Sequence, residues 1–171
     1  MRINLLLITL VLFSAGLAHA VATPLPKNMK VVGEAELKVL WLSIYRARLA
    51  SPQGSFVSAS MPLLLTLEYQ RDVSKQSLLD ETRRQWQKAG IAPDDQALWL
   101  RSLATLWLDV EDQDSLGFYQ DADGYGHFYH NQNYLGSIRD NRFCQAFLGI
   151  WLSDNSDFPG FTRQLTGRIS E

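Results

Sequence analysis

The stretch Glu36-Leu-Lys-Val-Leu-Trp-Leu-Ser-Ile-Tyr-Arg-Ala-Arg-Leu49 contains no glycine or proline and is dominated by β-branched, aromatic and leucine side chains. Such side chains favour the pleated, half-buried surface of a sheet, so residues 36–49 read as one long strand. Its odd positions are Leu37, Val39, Trp41, Ser43, Tyr45, Ala47 and Leu49, and Leu40, Leu42 and Ile44 fall among the even ones. Both faces are apolar at the middle, which predicts a central strand covered on both sides. Upstream, residues 21–32 form a proline-punctuated leader running into the sheet. Downstream, residues 62–71 read as a second strand, with Leu63, Leu65, Leu67, Tyr69 and Arg71 on one face.

Two helices follow. Ser74 can cap the first, with Val73 and Leu78 placed as a hydrophobic staple; Leu78, Leu79, Thr82 and Trp86 share a side, and Gly90 terminates it. Pro93 with Asp94 and Asp95 suits the first turn of the second, whose core face carries Leu100, Leu103, Trp107 and Leu108. Strand patterns return from Ser115, punctuated by turns at residues 121–124 and 131–133, which implies antiparallel neighbours. Asp140 caps a last long helix carrying Phe143, Phe147, Ile150 and Trp151, and Pro159 opens a short helix that ends at Gly167. Consecutive amphipathic helices set among strands predict an α+β domain, a helical layer on an antiparallel sheet.

The chain has 171 residues, 46% of them hydrophobic, and a net charge of −2. The apolar residues are concentrated at the start, where residues 1–20 supply 14 of them and carry Arg2 as their one charge. An apolar run from Leu5 to Phe13 and small residues at Ala18 and Ala20 mark a signal peptide cleaved after Ala20, and hence export to the periplasm. The run is shorter than a bilayer span, so no integral membrane segment is expected after cleavage. Residues 21–171 then make a single domain. The weakly acidic balance argues against nucleic acid as a partner. Cys144 is the one cysteine, which leaves no intramolecular disulfide, and its helical apolar setting makes it a small buried hydrophobe.

No metal or cofactor site emerges. If Gly124 were the sharp-turn glycine of a calcium loop, Tyr119 and His130 would occupy the terminal ligand positions, so the loop spacing fails. His127 and His130, three apart on a strand, point to opposite faces. Asp109, Glu111, Asp112 and Asp114 make an acidic loop that reads as solvated. Trp86, Trp99, Trp107 and Trp151 fit core positions on helices. Trp41, Ser43, Tyr45, Tyr69 and Arg71 recur instead at period two on neighbouring strands, an apolar patch with hydroxyls and one cation that would suit an amphiphile with an anionic head, such as a fatty acid.

Several ordered blocks resemble the bacterial exported branch of the chalcone isomerase-like family across nearly the whole mature chain. They run from Gly33 to Tyr45, through Leu67-Glu-Tyr69, Arg71-Asp-Val-Ser74 and the Trp86 helix, to Leu106-Trp107 and Val110. The most specific are Phe128-Tyr-His-Asn131, Leu135-Gly-Ser-Ile138, Asp140, Phe143 and Phe147 to Ser153, followed by Pro159, Arg163, Leu165 and Gly167. The resemblance implies an open-faced sandwich, an antiparallel sheet covered on one face by helices. The plant enzymes of this family use an arginine, a threonine, a tyrosine, a lysine and an asparagine. Here Leu40 or Trp41 stands where the threonine would, Lys27 and Lys30 are the nearest cations ahead of the strand, and Lys75 lacks the accompanying tyrosine and asparagine. No catalytic residue carries over, and chalcone cyclisation is not expected. The arginine and tyrosine of the fatty-acid-binding plastid relatives likewise find no counterpart at matching positions. The expected function is therefore a noncatalytic exported protein holding a small amphipathic ligand between sheet and helices. The alternatives are an isomerase or lyase in which Tyr45, Tyr69 and Arg71 supply acid, base and anion site, and a pocketless interaction module using exposed aromatics from Phe118 to Tyr129.

Overall fold

A computed structural model describes residues 24–59 and 62–168; the signal peptide expected over residues 1–20 lies outside them. Six strands, β1 (Lys30–Val39), β2 (Leu42–Ser51), β3 (Leu63–Tyr69), β4 (Ser115–Gln120), β5 (Gly126–His130) and β6 (Asn133–Ile138), pair in chain order as one antiparallel meander. Four helices, α1 (Lys75–Lys88), α2 (Pro93–Leu106), α3 (Asn141–Leu152) and α4 (Pro159–Leu165), cover one face, with α4 against β1 and β2, α3 against β5 and α2 against β6. This is the α+β open-faced sandwich expected from the sequence.

The expected strand over residues 36–49 is two strands. Val39 pairs with Leu42 across a two-residue turn at Leu40 and Trp41, so the stretch folds back as a hairpin whose first strand is the sheet edge. The apolar middle that suggested two covered faces is the tip of that hairpin: Leu40 is 81% exposed and Trp41 82%. No glycine, proline or asparagine marks the turn; Leu40 itself takes φ 57°.

The helix signals are local and the helices start where they indicate. Ser74 accepts from the Ser77 N–H at 3.2 Å, and Asp140 caps α3 by accepting from the Arg142 N–H at 2.9 Å. Pro93 and Pro159 occupy first turns. Helix α2 stops at Leu106, so Trp107 is its C-cap and Leu108 is exposed, not part of a core face.

The core is aromatic. Phe143 and Phe147 stack at 5.5 Å on α3, and both meet Phe118 and Phe128 from the sheet. Trp86 and Trp99 close the cluster from α1 and α2. Their ring N–H groups are satisfied across elements: Trp86 donates to the Ala146 carbonyl at 3.1 Å and Trp99 to the Asp140 carboxylate at 3.1 Å. Phe118, Phe128 and Tyr129 are buried, and of the aromatic run from Phe118 to Tyr129 Tyr125 is the residue left exposed, at 37%. Cys144 is fully buried, and burial pushes its thiol up to about 12, which keeps it unreactive at neutral pH.

The tightest seam is between β1 and α4. A Cβ at Gly33 would stand 2.2 Å from the Gln164 carbonyl oxygen and 2.6 Å from that of Leu165, both backbone atoms that a rotamer change cannot move. Gly33→Ala should therefore force α4 off the sheet edge and lower stability by about 3 kcal/mol in urea unfolding. A loss under about 1 kcal/mol would mean the helix shifts freely.

Candidate functional site

Between the helical layer and strands β1 to β5 lies a cavity of about 460 Å³. Its floor is Leu65, Leu67, Tyr69, Leu116 and Phe118; α1 contributes Leu78 and Thr82, α3 contributes Phe147, Ile150 and Trp151, and α4 contributes Phe161 and Thr162. The sheet positions share a face because strand side chains alternate, and the register sets Tyr45 opposite Tyr69 and Ala47 opposite Leu67.

Tyr45, Tyr69 and Trp107 bring polar tips to the cavity. Tyr45 and Tyr69 meet edge to face at 5.6 Å. Trp151 donates its ring N–H to the Tyr45 hydroxyl at 2.8 Å, which leaves the Tyr45 O–H proton free to donate. Tyr69 is buried beside Tyr45. Among the described residues the buried Nε1 of Trp107, which borders the same cavity, has no hydrogen-bond partner. Burial pushes both phenols well above their ordinary range, so each stays protonated at neutral pH: a donor, not a base.

The mouth is charged and internally paired. Arg84 reaches Glu81 at 2.6 Å and Asp157 at 3.1 Å, and Lys88 also pairs with Asp157. Hydrogen bonds from Lys88, Gln85 and Arg84 hold the Asp157 carboxyl at about 2, below its ordinary 3.8. A depressed carboxylate stabilises the fold fully above its unfolded-state value and loses that contribution as pH falls toward the folded one. Asp157→Asn should thus flatten the stability profile between about pH 4 and pH 2 and lower stability near neutrality, where the wild-type carboxylate contributes in full; a variant with the wild-type acid limb and wild-type stability at neutral pH would show that Asp157 adds nothing to the fold.

The structure brings two of the five expected ligand residues together. Tyr45 and Tyr69 line the cavity; Trp41, Ser43 and Arg71 do not. Trp41 sits on the hairpin tip. A bulge between Leu37 and Lys38 re-aims the end of the hairpin, so Ile44 lines the cavity while the Ser43 hydroxyl donates to Glu36 at 2.6 Å. Strand β3 ends at Tyr69, and the chain bends before Val73 pairs with Val110, which carries the exposed Arg71 off the sheet face. Tyr45, Tyr69 and Arg71 thus do not form an acid, base and anion-binding trio. Trp107 and Trp151, whose spacing predicts plain core, are cavity residues.

The other sequence candidates have local duties. His127 meets Asp121 at 2.8 Å and His130 meets Asp114 at 3.1 Å, on opposite faces of β5. In the acidic loop, Asp109 accepts from the Lys75 backbone N–H at 2.7 Å and Asp114 from that of Glu111 at 2.8 Å, while Glu111 and Asp112 are exposed. Among the described residues no cluster of three metal-ligating side chains occurs, and no helix is long and apolar enough to cross a membrane.

An antiparallel sheet backed by helices over an apolar, donor-lined cavity defines an open-faced sandwich of the chalcone isomerase-like fold. The chain shares that fold with a fatty-acid binding protein of Arabidopsis thaliana, at a TM-score of 0.66 and 10% identity, covering 85% of this chain and 90% of the other. An uncharacterized protein of Haemophilus influenzae is 27% identical over 157 residues, 92% of this chain and 77% of its own length. No protein-family model matches the sequence.

Proposed function

We propose that this chain is an exported, noncatalytic binding protein that holds a single-chain amphiphile, such as a fatty acid, between sheet and helices. The observation that carries the reading is the cavity itself. Its volume lies in the range of small-molecule sites, its wall is largely aliphatic and aromatic, and its free polar groups donate hydrogen bonds. An apolar chain against Leu65, Leu67, Phe118 and Phe147 with an oxygen acceptor at Tyr45 and Tyr69 uses both features. The fold shared with a fatty-acid binding protein supports the ligand class. The pattern of residues 1–20 supports export to the periplasm, with cleavage after Ala20.

Native mass spectrometry of the protein purified from the exported fraction, followed by solvent extraction, tests the reading. An acyl compound should co-purify. The stripped protein, titrated with saturated fatty acids, alcohols and monoacylglycerols, should gain about 2.7 kcal/mol of stability at a hundredfold excess over Kd. If nothing co-purifies and no member of the panel moves the melting temperature, the reading is wrong.

A further inference from the structure

The tip of the β1–β2 hairpin is Val39-Leu40-Trp41-Leu42, four consecutive apolar residues exposed by 47%, 81%, 82% and 46%. Neither the backbone nor the core accounts for them. Leu40 lies at φ 57°, in the left-handed region where glycine or asparagine sits without strain. Polar side chains would be better solvated at all four positions. The tip also adjoins the cavity: Leu37, Val39 and Ile44 of the same hairpin line it, as does Phe158, which is 41% exposed. Val39 therefore belongs both to the cavity wall and to the apex. The charges at the hairpin's base balance: Glu36 pairs with Lys38 at 3.0 Å and Glu34 with Arg48 at 2.6 Å, and the exposed Arg46 lies in register between Glu36 and Glu68.

We infer that this apex is a membrane-docking tip, inserting Leu40 and Trp41 into the interfacial layer of a lipid bilayer and holding the cavity mouth at the lipid surface. The four side chains expose on the order of 500 Å², taking about 200 Å² for a whole large apolar side chain. That is as large as the greatest apolar patch of an ordinary monomer, yet short of the roughly 800 Å² per partner that a stable protein interface buries. It is also borne on a narrow turn, not a broad face. A bilayer accepts such a shape, since tryptophan settles at the headgroup level and aliphatic groups enter the acyl boundary. With the neighbouring charges balanced, binding needs no anionic lipid.

The test is flotation of protein from the exported fraction with phosphatidylcholine vesicles, comparing wild type with the Leu40→Gly/Trp41→Ser double variant. Glycine relieves the left-handed strain, so the variant should melt no lower than wild type. Wild type should float, and the variant should partition at least tenfold less. Vesicles with bromine-labelled acyl chains should quench part of the wild-type tryptophan fluorescence, a quench lost in Trp41→Phe although that variant still floats. The inference is overturned if wild type stays in the lipid-free fractions, if the double variant floats equally, or if binding requires anionic lipid and vanishes in salt. It is also overturned if the tip instead makes wild type a dimer and the variant a monomer. The readout needs no ligand in the cavity, so its failure is separate from failure of the binding reading.

Discussion

Phe143→Ala should destabilise the protein by about 4 kcal/mol and lower its melting temperature by about 12 °C. The side chain is fully buried, and its ring lies 5.5 to 6.1 Å from those of Trp86, Trp99, Phe118, Phe128 and Phe147. It is the ring through which α1, α2, α3 and the sheet all meet. Truncation removes the transfer free energy of a phenyl group and leaves a void that cannot collapse. The surrounding groups are rigid rings, two of them pinned by indole N–H bonds to Ala146 and Asp140. Calorimetry and urea unfolding check the result, and a loss under about 2 kcal/mol would mean that the cluster repacks. Phe147, one turn along α3, faces the cavity with part of its ring. Phe147→Ala extends an existing space instead of opening a closed one and should cost less.

What could be read from the sequence was what depends on near neighbours. Ser74, Pro93, Asp140 and Pro159 act on backbone groups within one turn, so their chemistry is complete in a few residues, and each marks a helix start in the structure. The alternation in residues 63–69 likewise placed Leu65, Leu67 and Tyr69 on one face. The hairpin tip is not legible locally, because its turn uses a leucine at positive φ where local preference predicts continuation of the strand. The cavity was half legible. Period two paired Tyr45 with Tyr69, but no local rule announces that Trp151, 106 residues away in sequence, bonds the Tyr45 hydroxyl. Nor does any rule show that the bend after Tyr69 removes Arg71. Gly33 carried no signal at all, since its close approach is to α4 at the far end of the chain.

The same geometry separates a real cavity from a loosely drawn core. Leu67 lies on the central strand β3, between Ala47 and Leu116, with its side chain on the cavity floor. In a close-packed interior, replacing leucine by tryptophan costs about 1–3 kcal/mol, because the extra ring forces neighbours off their rotamers. Over an open space the indole gains apolar contact instead, and its bulk occupies the volume an acyl chain would use. Leu67→Trp should therefore leave stability within about 1 kcal/mol of wild type while weakening fatty-acid binding about a hundredfold, some 2.7 kcal/mol. Calorimetric titration together with urea unfolding reads both quantities on one preparation. A variant destabilised by about 3 kcal/mol would mean that the space is closed in solution. A variant of full stability that still binds would place the ligand elsewhere. Only intact folding combined with lost binding puts an acyl chain on the Leu67 floor.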